Sequence, residues 1–147
     1  MNIVLDTCAL IHLLKNSEKT EDIISIINNQ NNPFLLISIV TKAELLSLTL
    51  KNNWGEKKQK YLEKLLKKFL IVPIESNDLV QRYAEIDAFS QGKLINKPLL
   101  SGMTSRNMGK NDIWIASTAS LSKSKLITFD NDFDHLDNVF INLEKIE

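Results

Sequence analysis

Four carboxylates stand where an α/β protein keeps its chemistry. Asp6 ends the short apolar run Ile3-Val4-Leu5, and Glu44 lies early in a helix that follows a second apolar run. Asp112 opens a later helix, and Asp130 follows a further apolar run in Thr128-Phe129-Asp130. In an open parallel sheet, the carboxyl ends of the strands and the helix starts after them share one edge, where ligands collect. Asp6, Glu44 and Asp130 meet that condition directly. Asp112 does so only if the long segment before it brings its helix start to the same edge. Carboxylates gathered without partners repel one another and take up protons. A divalent cation relieves that repulsion, and oxygen-only ligands favour a hard ion, Mg²⁺ or Mn²⁺. Such an ion activates water and stabilises in-line displacement at phosphorus.

Each acid also has a purely structural reading. Asp6 can cap the first helix, as can Thr7. Thr41 with Glu44 spells the T-x-x-E of a capping box. Asp112, after Asn111, can complement a helix N-terminus, and Asp130 can serve a turn. Spacing alone leaves both readings open. His12 and His135 are isolated in the sequence and read as surface or packing residues.

Hydrophobic periodicity supplies the elements that must position these side chains. Strands are expected at residues 3–5, 34–39, 69–74, 126–129 and 139–143, with Pro73 marking a strand at an edge or exit. Helices are expected at residues 9–14, 18–29, from Ser38 or Thr41 to about 52, and at 56–69, 77–90 and 112–122. This alternation predicts a three-layer α/β/α fold with a mostly parallel sheet of four to five strands and helices on both faces. Residues 1–147 are expected to form one such domain.

Residues 91–110 break the pattern. They hold Gly92, Gly102, Gly109 and Pro98, carry no acid, and contain Lys93, Lys97, Arg106 and Lys110. A basic, glycine-containing segment leading into Asp112 can hold nucleic-acid phosphates. Arg106 and Lys110, nearest Asp112, are the first choices for that contact, with Lys93 and Lys97 behind them. The helix at 56–68 is lysine-rich and reads as a solvated face, while exposure of Trp54 or Tyr61 would favour a partner surface.

Lys+Arg and Asp+Glu both number 18, so a nucleic-acid partner requires a local basic patch rather than net charge. Cys8 is the only cysteine, which excludes an internal disulfide and a cysteine-rich zinc site and suits the cytoplasm. No apolar run approaches the ~20 residues of a membrane span, and no signal peptide is evident. A phosphatase of the haloacid dehalogenase type also begins with an apolar strand and Asp, but it needs a second Asp at position 8, where Cys8 stands. A receiver-like phosphoacceptor lacks its acidic pair near the first strand.

Four stretches, in order, resemble the PIN domain family: L-D-T-C-A-L-I at 5–11, S-I-V-T-K-A-E-L at 38–45, G-K-N-D-I-W-I-A-S-T-A at 109–119 and L-I-T-F-D-N-D-F-D-H-L at 126–136. They are similar in particular to VapC-type toxins of bacterial toxin–antitoxin pairs. The resemblance covers essentially the whole chain. It implies a metal-dependent endoribonuclease in which Asp6, Glu44 and Asp112 hold Mg²⁺ or Mn²⁺ and Asp130 is the fourth acid, with Asp132 its rival. It also implies supporting roles for Thr7 and Thr128, and Asn111 is expected to orient Asp112. The implied partners are an RNA substrate, with tRNA among the candidates, a cognate antitoxin, and a second protomer in a homodimer. A noncatalytic PIN-fold module that binds protein or RNA is the alternative.

Overall fold

The structure is a computed structural model describing residues 1–147. The chain runs β1 (Ile3–Leu5), α1 (Thr7–Lys15), α2 (Thr20–Asn28), β2 (Leu35–Ser38), α3 (Ile39–Lys51), α4 (Glu56–Leu66) and β3 (Leu70–Val72). It continues with α5 (Asn77–Ser90), a long connection, α6 (Lys110–Leu121), β4 (Lys125–Thr128), a 3-10 turn (Asn131–Leu136) and β5 (Asn142–Lys145). The strands form one sheet in the order β3-β2-β1-β4-β5, and every pairing is parallel. Helices cover both faces, giving the three-layer α/β/α arrangement.

Strand alternation divides the core between the faces. Ile3, Leu5, Ile37 and Ile127 pack with α1, α2 and α4, whereas Val4, Leu36 and Leu126 pack with α5, α6 and the 3-10 turn. The central strand β1 is buried throughout, because helices lie over both its faces. The edge strands tolerate more polarity: β5 is Asn-Leu-Glu-Lys and only partly covered.

Three expectations are decided at element ends. Of the two cap candidates, Asp6 rather than Thr7 is the N-cap of α1, its carboxylate accepting from the Ala9 N–H at 2.8 Å. Ser38 caps α3 by accepting from the Val40 N–H. The Thr41–Glu44 capping box is therefore absent, and Glu44 lies more than one turn into the helix. The last strand starts at Asn142 rather than at residue 139. Val139, Phe140 and Ile141 form a turn whose N–H groups all return to the Leu136 carbonyl, and Ile141 is buried there. Apolar content at 139–141 thus serves a packed turn, which periodicity alone cannot tell from a strand.

The sheet order fixes where chemistry can gather. The chain builds outward from β1 through β2 to β3, then crosses back to place β4 on the other side of β1. The crevice between the ends of β1 and β4 is the topological switch point, where open α/β sheets bind ligands. Asp6 leaves β1 at that crevice, and Asp130 leaves β4 beside it.

Candidate metal centre

Asp6 follows β1 directly and is only 4% exposed. One carboxylate oxygen accepts from the Ala9 N–H and the other from the Thr128 hydroxyl at the end of β4. Thr128 in turn accepts from the Asp130 N–H at 3.0 Å, so one hydroxyl joins two of the acids. Asp130 caps the 3-10 turn, its side chain accepting from the Asp132 N–H at 3.0 Å. The turn is fastened by buried Phe133, His135 and Leu136 and by the Lys145 ammonium, which bonds Asn131 Oδ1 at 2.8 Å and Asp134 Oδ2 at 2.9 Å.

Asp112 comes from the same sheet face as the 3-10 turn, in the first turn of α6, which Gly109 starts. Carboxylate oxygens of Asp112, Asp130 and Asp132 all lie within 4.8 Å of one another. The chain thus brings together one acid from α6 and both contenders for the fourth position. Glu44 stands beside this group rather than in it, with Oε1 accepting from the Thr7 hydroxyl at 2.7 Å. With its proton given to Glu44, the Thr7 hydroxyl can only accept from the Thr41 hydroxyl, 3.2 Å away. Glu44, Thr7 and Asn111, the residue before Asp112, share the wall of one cavity.

Burial first, then the charges of Asp130, Asp132, Asp6 and Glu44, push the Asp112 carboxyl up to about 6. Asp6 is likewise pushed up to about 6, chiefly by burial and further by Asp130 and Glu44, although its Thr128 and Ala9 hydrogen bonds pull the other way. The Cys8 thiol is raised by burial and then by Asp6 and Asp130, which argues against a thiolate nucleophile. All four ion pairs of the protein lie elsewhere, so no Lys or Arg nitrogen neutralises these five carboxylates within 4 Å.

These observations fit a hard divalent cation. The donors are all carboxylate oxygens, three approach ligand spacing, and charge accumulates without an internal counter-ion. Thr128→Val tests the support for Asp6. Loss of the hydroxyl donor raises the Asp6 carboxyl further, so the acid limb of Mn²⁺ binding against pH is expected to move to higher pH. Calorimetric titration over pH 5–8 measures that shift, and an unmoved limb removes Asp6 from the binding equilibrium.

The basic residues are distributed unequally. Arg106 lies against the acidic turn, its Nη1 3.4 Å from the Asn131 carbonyl oxygen, and shares a wholly polar cavity with Lys93. Lys110 is the exposed first residue of α6. Lys97 lies apart from these: its ammonium is 4.6 Å from the Phe140 ring centroid, at the turn that enters β5. That turn belongs to the amino-terminal edge of the sheet, so Lys97 is kept from the carboxylates.

His12 packs 4.5 Å from the Phe129 ring and contacts Ser17. His135 takes the packing role: it is buried, with Nε2 2.7 Å from Ser90 Oγ. Ser90 donates its own proton toward the Met108 sulfur, so it accepts from His135 Nε2–H, leaving Nδ1 without a protein partner. Burial, and then the Arg106 charge, lower the His135 pKa to about 4. Sequence reasoning missed this Ser90–His135 link, and no local signal announces it, since the partners are 45 positions apart.

The fold that carries this site is shared with solved structures. Over its full length the chain is similar in structure to VapBC2 from Rickettsia felis, bound to a promoter DNA fragment, at TM-score 0.74 and 22% identity, with 100% of both chains covered. It is similar to VapBC-1 from nontypeable Haemophilus influenzae at TM-score 0.75 and 21% identity, covering 99% of this chain and 98% of that one. It is also similar to FitAcB from Neisseria gonorrhoeae at TM-score 0.69 and 21% identity, covering 96% and 95%. Among curated protein sequences there is no significant match. The PIN domain pattern matches residues 3–139, nearly the whole of the chain that builds the sheet and its acidic edge, and the chain therefore belongs to the PIN domain family.

Proposed function

We propose that the protein is a Mg²⁺- or Mn²⁺-dependent endoribonuclease, acting in the cytoplasm as the toxin of a type II toxin–antitoxin pair. The observation that carries the reading is the approach of Asp112, Asp130 and Asp132 to ligand spacing, with Asp6 and Glu44 alongside. In this reading Asp112 and Asp130 hold the ion, Asp132 completes the set from the exposed side, and Asp6 and Glu44 add negative charge from the sheet side. A bound divalent cation supplies an acidified water and positive charge opposite the scissile phosphate. Thr128 and the Ala9 N–H fix Asp6, and Thr7 fixes Glu44. Water rather than the 2′-hydroxyl is the nucleophile, so the products carry a 5′-phosphate and a 3′-hydroxyl.

The toxin role draws support from the neighbours, two of which are described as a toxin–antitoxin complex and as a member of a family of toxin–antitoxin systems. Half-exposed Tyr61 and Ile24 border an apolar cavity between α2 and α4, of the kind an antitoxin helix covers. The test is incubation of purified protein with structured and single-stranded RNAs, with Mg²⁺, Mn²⁺ or EDTA, followed by end analysis. Metal-dependent cleavage leaving 5′-phosphates is expected. Cyclic-phosphate ends would overturn the mechanism. Binding without cleavage under every condition would favour the noncatalytic module.

A further inference from the structure

The long connection between α5 and α6 is less free than its sequence suggests. At its start, Gly92 takes φ +73°, and two hydrogen bonds close the end of α5: Gly92 N–H to the Phe89 carbonyl at 2.9 Å and Lys93 N–H to the Ala88 carbonyl at 2.8 Å. That pairing is a Schellman motif, and it fixes where Lys93 leaves the helix. Near the other end of the connection, Arg106 N–H donates to the Ser90 carbonyl at 2.8 Å. Lys93 and Arg106, thirteen positions apart, are therefore pinned by their own backbones to one helix end.

Between them lies a cavity of about 340 Å³ lined by Gln91, Lys93, Ser105, Arg106 and Asn107. No lining residue is apolar and none is acidic, and neither cation takes part in an ion pair. Amide, hydroxyl and cationic donors converging on one dent suit a tetrahedral oxyanion. The dent is also tied to the carboxylates. Arg106 reaches the Asn131 carbonyl, one residue from both Asp130 and Asp132, and buried Ser90 holds His135 of the same 3-10 turn.

We propose that Lys93 and Arg106 form a phosphate subsite that grips one backbone phosphate of the RNA strand at a fixed distance from the scissile bond. The proposal rests on the ribonuclease reading for the identity of its ligand. It narrows the four basic residues of the segment to two: Lys97 sits exposed over the Phe140 ring, and neither it nor Lys110 lines any part of this cavity. Anchored cations choose which phosphate lies over the acids, so the subsite sets cleavage register as well as affinity.

Binding in EDTA tests the subsite apart from catalysis. A fluorescein-labelled single-stranded RNA decamer is titrated by anisotropy across a series of salt concentrations with the parent, Lys93→Ala, Lys93→Ala/Arg106→Ala and Lys97→Ala proteins. Loss of one phosphate contact lowers the slope of log K against log salt by about 0.7 for a single strand. The double variant is expected to bind about 10-fold more weakly with that slope change, and Lys97→Ala to match the parent. Lys93 is exposed, so Lys93→Ala leaves the fold intact and reads the subsite even where the Arg106 change disturbs the turn; it is expected to weaken binding about 3-fold. Parental affinity and slope in both Lys93 variants would overturn the proposal and leave the two cations serving the negative end of α5. A slope change of about 1.4 would overturn the single-phosphate geometry. RNA binding with this signature but without cleavage by the metal-loaded parent would instead defeat the ribonuclease reading and leave the subsite standing.

Discussion

Asp112→Asn is expected to give a folded protein that cleaves RNA at least about 100-fold more slowly and yet melts at a higher temperature than the parent in EDTA. The catalytic loss follows from its position. Asp112 is the one acid of the close group that comes from α6, and loss even of a residue supporting a metal ligand costs about 10–100-fold. The stability gain follows from the same geometry. Burial and four neighbouring carboxylates push Asp112 to about 6 from 3.8, so at neutral pH its charge is held at a cost. A shift of that size corresponds to about 3 kcal/mol when undiluted, and partial exposure reduces it to roughly 1 kcal/mol. In a domain of this size that raises Tm by about 2–4 °C. Scanning calorimetry at pH 7.5 in EDTA, paired with a cleavage assay in Mn²⁺, reads both effects. Retained cleavage would remove Asp112 from the centre, and a lower Tm in EDTA would show that repulsion is not what the cation relieves.

The metal-free parent should lose stability as pH rises from about 4 to about 6, the reverse of ordinary acid denaturation. Asp6 and Asp112 both carry folded values of about 6 against 3.8 for the free side chain. Between those values the native chain binds two more protons at Asp6 and Asp112 and one fewer at His135, whose folded value of about 4 lies below its free 6.5, so on balance it holds one proton more than the unfolded chain. Stability therefore falls with rising pH across the window and levels off above it. A divalent cation binds the deprotonated acids and reverses the loss. At a concentration 100-fold above Kd it adds about 2.7 kcal/mol, or roughly 5–10 °C in Tm. That rise should be full at pH 7.5 and should disappear below about pH 5. Melting curves from pH 4 to 8, in EDTA and in Mn²⁺, give both halves. Equal Tm with and without Mn²⁺ at pH 7.5 would remove the metal centre altogether.

Much of this is legible along the chain because it depends on local pattern. Apolar runs alternating with amphipathic segments specify strands and helices, and strands that alternate with helices in a short chain must pair in parallel. Asp6 interrupts a fully buried run, and that interruption alone marks a strand end at which a charge is needed. Patterning fails where two local solutions share one composition. Val-Phe-Ile at 139–141 suits a strand or a packed turn, and three N–H groups converging on the Leu136 carbonyl decide for the turn. Thr41 and Glu44 fit a capping box, but Ser38 takes the cap because α3 begins directly where β2 ends.

The sequence by itself determined the fold class and the family, and it named the acids to look for. These rest on the order and spacing of residues, which the chain carries with it. Only the tertiary structure decided which charges meet. The crossover that sets β4 beside β1 brings Asp130 and Asp132 to Asp112 while leaving Glu44 in the hand of Thr7. The same packing divides four similar basic residues, seating Arg106 and Lys93 together beside the acidic turn and sending Lys97 to Phe140 at the far edge. Contacts between residues tens of positions apart depend on how layers stack, and no short window of sequence holds that information.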